Sequence, residues 1–220
     1  MFIKENLTEL NKQLPSTVSL VAVSKTKPVA DIREAYEAGQ RIFGENRIQE
    51  MVNKYEVLPK DIEWHMIGHL QRNKIKYMAH FVDLIHGVDS LKTLQEIDKQ
   101  AKKHQRVIKC LLQVKIAREE TKFGMDAETV ISILDSDLLP SMKNVKIEGL
   151  MGMASFTSDL SVVSKEFSTL KSLYDQLNND GHQLTVLSMG MSGDYMTAIE
   201  NGSNMIRVGS AIFGVRNYIA

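Results

Sequence analysis

The chain has 220 residues, 43% of them apolar and 25% charged, which suffices for one sizeable hydrophobic core and argues for a single domain over 1–220. Its 27 basic and 27 acidic side chains cancel, so no long-range field draws it to nucleic acid or an anionic membrane surface, though a local basic pocket for a small anion stays open. One cysteine, Cys110, excludes an intrachain disulfide and fits a cytoplasmic setting.

The N-terminal run Met1-Phe2-Ile3-Lys4-Glu5-Asn6 lacks the basic and apolar regions of a signal peptide. No apolar run approaches the roughly 20 residues of a membrane span. A helix over Glu5 to Leu14 is expected first. Short apolar runs then alternate with helical periodicity. The strands are expected at Val18–Val23, Arg41–Phe43, Glu63–Ile67, Phe81–His86, Val107–Val114, Lys146–Met151, Gln183–Ser188 and Asn204–Val208. The intervening helices are expected at Val29–Ala38, Asn46–Tyr55, Gln71–Met78, Ser90 (as N-cap) to His104, Ala127–Leu134, Ser161–Leu177 and Asp194–Asn201. An open doubly wound sheet explains part of this pattern. The count of eight favours a closed (β/α)8 TIM barrel with an extra N-terminal helix.

In such a barrel the chemistry lies where strands end and loops begin. Lys25 follows the first strand in Val21-Ala22-Val23-Ser24-Lys25-Thr26-Lys27-Pro28. A desolvated lysine at a barrel mouth attacks carbonyls, whereas a solvated one does nothing; Lys27 is the other candidate amine. In Phe43-Gly44-Glu45-Asn46-Arg47, Asn46 is expected to cap the next helix, and Glu45 and Arg47 read as solvated. His69 stands at the mouth and His65 inside the barrel. His69 has no Cys, His or acid nearby at ligand spacing, so no metal site is expected. The runs Ser188-Met189-Gly190-Met191-Ser192-Gly193-Asp194 and Arg207-Val208-Gly209-Ser210-Ala211-Ile212-Phe213-Gly214 follow strands seven and eight. Small residues there let backbone N–H groups approach an anion, and in barrels these two loops commonly bind phosphate.

These runs, with Trp64-His65-Met66-Ile67-Gly68-His69-Leu70-Gln71-Arg72-Asn73-Lys74 and Gly149-Leu150-Met151-Gly152-Met153, occur in the same order in another group of proteins. Over nearly its whole length the chain resembles the YggS/PROSC family of pyridoxal 5'-phosphate (PLP) homeostasis proteins. The resemblance implies the fold-type III PLP barrel, similar to the N-terminal domain of alanine racemase. It implies PLP held as a reversible Schiff base on Lys25, with Arg207 at the pyridine nitrogen and Ser192, Gly209 and Ser210 at the phosphate. Met189 would pack near the ring and Asn46 near the lysine; His69 is a further candidate contact. Ser210 stands where many relatives have threonine, which keeps the hydroxyl. The second, β-rich domain of alanine racemase, with its catalytic tyrosine, has no counterpart in 220 residues. The expectation is therefore a monomeric carrier with no catalytic residue, which passes PLP to apo-enzymes. A weak amino-acid racemase and a barrel that binds another phosphorylated metabolite without covalent chemistry are the alternatives.

Overall fold

A computed structural model describes residues 2–119 and 123–214. Helix α1 (Phe2–Gln13) leads into β1 (Ser19–Val23), α2 (Val29–Glu37), β2 (Ile42–Glu45), α3 (Ile48–Val57), β3 (Glu63–Met66) and β4 (Leu84–Val88). Then come α4 (Leu91–Lys103), β5 (Ile108–Val114), α5 (Ala127–Leu134), β6 (Val145–Gly152) and α6 (Leu160–Asn179). Strand β7 (Val186–Ser188), α7 (Tyr195–Glu200), β8 (Met205–Val208) and the short α8 (Ser210–Phe213) complete the order. The eight strands pair in sequence order and close on themselves, which rules out the open sheet. Closure is made by β1 and β8, parallel, with Ser19 opposite Met205 and Val21 opposite Arg207.

Strand periodicity separates two cores. Leu20, Ala22, Leu150 and Ile206 face outward into the large cluster packed under the helices. Their neighbours Val21, Met151 and Met205 turn inward and, with Leu84 and Leu111, fill the lumen. Burial on both faces is why these strands read as nearly continuous apolar runs. Each fully buried aliphatic side chain contributes about 1.5–3 kcal/mol. Helix α4 shows the other periodicity, burying Leu94, Ile97 and Ala101 on one face, and Ser90 Oγ accepts the Thr93 N–H at 3.3 Å as its cap. Cys110 is fully buried, and burial pushes its thiol far up.

Three departures from expectation have local causes. The segment Arg72–Tyr77 is a 3-10 helix, not an α-helix; it buries only Ile75, so no α-helical stripe exists to hold it. Strand β4 begins at Leu84, not Phe81, because the apolar residues before it are used elsewhere. Phe81 stacks on Tyr55 with centroids 4.0 Å apart, and the Val82 N–H closes a turn onto Met78. Strand β7 is only Val186–Ser188, since Leu184 is held by Asn178.

Candidate functional site

At the C-terminal end of the strands lies a cavity of about 520 Å³. Lys25, Asn46, Ser192, Arg207, Gly209 and Ser210 line it, together with Lys27, Met153, Ser155 and Asp194. Six candidate residues from five different loops or strands thus converge on one space.

Lys25 is half-buried at the end of β1, just before a strained turn. Thr26 has φ 64°, unusual for a β-branched residue. What holds the turn is a buried polar knot beneath it. The Thr26 N–H donates to Glu50 Oε1 at 2.6 Å. The Lys54 ammonium, on α3, donates to Glu50 at 2.7 Å, to Glu45 at 2.8 Å and to the Ser24 carbonyl at 2.8 Å. Ser24 Oγ donates to Glu45 Oε1 at 2.6 Å. Glu45 is fully buried rather than solvated, and burial pushes its carboxyl up to about 7 against the pull of Lys54. Lys27 is otherwise engaged: its ammonium donates to the carbonyls of Phe213 at 2.7 Å and Gly214 at 3.3 Å. Condensation at Lys27 would cost both contacts.

Asn46 does not cap α3. Arg47 occupies the N-cap and makes no side-chain cap bond. Asn46 is set instead by Gly68: a Cβ at position 68 would lie 2.3 Å from the Asn46 carbonyl oxygen, so only glycine lets the two loops touch.

Arg207 projects from β8 into the cavity and is otherwise buried. Its Nη1 donates to Ser188 Oγ at 2.6 Å and its Nη2 to the Gly152 carbonyl at 3.0 Å. Burial lowers it to about 10, and Asp194 opposes that shift, so it stays charged at neutral pH. Behind Ser188 the lumen holds His86, with Nδ1 3.1 Å from Ser188 Oγ, and His65, with Nδ1 3.0 Å from His86 Nε2. The His65 Nε2 faces Asp83 at 3.8 Å.

The last two loops are tied together, since the Gly209 N–H donates to Ser192 Oγ at 3.1 Å. Gly190 turns the β7 loop with φ 98°. Asp194 lies at the N-cap of α7, and its Oδ1 accepts the Met191 N–H at 2.5 Å. That bond spends part of its charge inside the loop.

Two candidates lie off the cavity lining. Met189 is fully buried in the outer core. His69 stacks on Phe123, centroids 4.5 Å apart, and faces Asp89 at 3.5 Å. Sequence reasoning missed Ser188, His86, Lys54 and the burial of Glu45, because each depends on a partner brought in by the fold. It also missed the convergence of Glu63, His65 and Asp83 at the opposite end of the barrel, where their donor atoms lie within 4.8 Å of one another. The Lys109 ammonium, 3.4 Å from Asp83, already supplies positive charge there.

Comparison with known proteins adds an independent line. Residues 2–217 match the family model of the alanine racemase N-terminal domain. A Synechocystis protein named pyridoxal phosphate homeostasis protein is 42% identical over 98% of this chain and 100% of its own length. A Vibrio alginolyticus protein of the same name is 37% identical over 98% of both chains. The solved structure of PipY from Synechococcus elongatus with PLP bound superposes with a TM-score of 0.88 at 39% identity, covering 96% of this chain and 100% of PipY. Alanine racemase from Clostridium difficile shares the fold at 16% identity, with a TM-score of 0.83, covering 99% of this chain and 58% of the racemase. The chain therefore belongs to the alanine racemase N-terminal-domain family and, within it, to the pyridoxal phosphate homeostasis proteins.

Proposed function

We propose that this protein holds PLP in the mouth cavity and serves as a reversible carrier of it. One observation carries the reading: Lys25 and Arg207 open into the same cavity as the two small-residue loops that Ser192 and Gly209 tie together. The residues present fit the group. The cavity's size is in the range of cofactor pockets. Its charged lining is Lys25, Lys27 and Arg207 against Asp194, a balance that suits an anion.

When bound, PLP supplies an aldehyde that an amine takes up reversibly with loss of water. Lys25 is the amine in this proposal: it lines the cavity just past β1, at the position the family resemblance gives to the aldehyde-binding lysine. Ser192, Gly209 and Ser210 take the phosphate, and Asn46 the edge beside Lys25. Arg207 faces the ring nitrogen; a charged guanidinium only donates, so that nitrogen keeps its lone pair and the ring stays a weak electron sink. This favours holding over turnover. The names of the relatives point the same way. In this reading the chain is a monomer of one domain that buffers PLP in the cytoplasm and passes it to apo-enzymes.

The test is borohydride reduction of the PLP-loaded chain followed by peptide mapping. The label should fall on Lys25, vanish in Lys25→Ala and persist in Lys27→Ala. A label on Lys27 would overturn the assignment of the amine. Incubation with L- and D-alanine checks the carrier reading: turnover near the enzyme median of about 10 per second would make the protein a racemase.

A further inference from the structure

The polar side chains in the lumen fix the positions of one another's protons. Ser188 is fully buried, and its hydroxyl meets Arg207 Nη1 at 2.6 Å and His86 Nδ1 at 3.1 Å. A guanidinium only donates, so Ser188 Oγ accepts from Arg207. The hydroxyl's own proton then goes to His86 Nδ1, its other neighbour; a hydrogen on Nδ1 would leave that buried proton without an acceptor. With Nδ1 bare, His86 carries its proton on Nε2 and donates it to His65 Nδ1 at 3.0 Å. His65 in turn carries its proton on Nε2, toward the Asp83 carboxylate at 3.8 Å.

The far end favours the same arrangement, since a bare His65 Nε2 would turn a lone pair toward the Asp83 carboxylate 3.8 Å away. Both rings are neutral: burial holds His65 at about 4 and pushes His86 well below the ordinary histidine value. Every hydrogen between Arg207 and Asp83 thus points away from the cavity, and every lone pair points toward it.

We infer that Ser188, His86 and His65 form a one-way hydrogen-bond chain behind Arg207, its far end facing the Asp83 carboxylate, and that the two histidines are positioning residues for the cavity's arginine. Ser188 Oγ and the Gly152 carbonyl are two fixed acceptors, and together they set the plane of the guanidinium. The donors left over are aimed by that plane. In a low-dielectric lumen, successive hydrogen bonds polarise one another, so the acceptor at Ser188 is strengthened by the two histidines behind it. That end is accessible: the side chains of Asp83 and Lys109 are 28% and 44% exposed. The inference rests on the PLP reading only for the ligand that reports Arg207's orientation; the proton positions belong to the chain itself.

The test uses the full chain with 15N-labelled histidine and no ligand, read by long-range 1H–15N correlation and assigned with His65→Gln and His86→Gln. Both histidines should be Nε2–H tautomers with bare Nδ1. A proton on Nδ1 of either one overturns the chain. Asp83→Asn keeps an acceptor oxygen at the far end and leaves the Ser188 contacts intact, so both histidines should remain Nε2–H. PLP affinity should fall about tenfold in Ser188→Ala and recover in Ser188→Thr, which keeps the hydroxyl. An Nδ1–H form in Asp83→Asn, or wild-type affinity in Ser188→Ala, would overturn the positioning role. If the wild-type chain takes up no PLP, the cofactor reading fails, and the tautomers still decide the proton direction.

Discussion

Lys54 reaches from α3 to the carbonyl oxygen of Ser24, 2.8 Å away, and so grips the residue just before Lys25. The same ammonium neutralises Glu45, which has no exposure to solvent. Removing one partner of a buried pair strands the other. Lys54→Met should destabilise the fold by about 3–5 kcal/mol at pH 8, where Glu45 is ionised. The loss should be smaller at pH 5, where the stranded carboxyl is protonated. The double variant Lys54→Met/Glu45→Gln should recover most of it. Urea unfolding at the two pH values is the measurement, and equal losses at both would refute the account.

Glu45 also gives the wild-type protein a pH signature. Its carboxyl is held at about 7, above the ordinary 4.5, chiefly by burial. Between those values the folded chain binds this proton more tightly than the unfolded chain does. Its contribution is therefore full below 4.5 and is lost as pH rises through about 7. Stability at pH 5 relative to pH 8 should exceed the same difference in Glu45→Gln. Urea midpoints that move in parallel in the two proteins would place the titration elsewhere.

Gly68→Ala should harm both fold and site. The new methyl would sit 2.3 Å from the Asn46 carbonyl oxygen, and that neighbour is backbone, not a side chain that can swing aside. A destabilisation of about 1–3 kcal/mol is expected from the overpacking, with weaker PLP uptake as Asn46 is displaced. Thermal unfolding together with a spectral titration separates the two effects.

Ser192→Ala removes the acceptor of the Gly209 N–H and unties the last two loops. The expected cost is about 1 kcal/mol, or a loss of affinity for PLP of about five- to tenfold, with the melting temperature nearly unchanged. His69→Ala is the matching control. Its ring packs on Phe123 and not on the cavity, so PLP affinity should stay within about twofold of wild type. A tenfold loss would bring His69 back among the cofactor contacts.

The barrel was legible because its strands carry a signal that depends on near neighbours alone. Val18–Val23 and Val107–Val114 are apolar at all positions but Ser19, Lys109 and Gln113, the near-continuous pattern of strands buried on both faces. The fourth strand slipped because Phe81 and Val82 look like strand residues but are spent on Tyr55 and a turn, contacts no local pattern records. The same distinction runs through the site. Lys25, Ser192, Gly209 and Ser210 stood out as unusual residues at strand ends. Lys54 carried no signal of its own, and Glu45 read as a solvated loop acid, until the fold buried them against each other. His86 and Ser188 are 102 positions apart, and only closure of the barrel makes them neighbours.

That closure has a consequence for biosynthesis. Lys25 lies just past the first strand and Arg207 in the last, and these two strands pair directly. Asn6 of the leading helix likewise donates to the carbonyl of Ile212, 206 positions downstream. A ribosome must therefore release nearly the whole polypeptide before the cavity exists, and a nascent or truncated product lacks it. Ligand capture then acts as a completion check: only a finished ring gains the extra stability that bound cofactor confers by mass action.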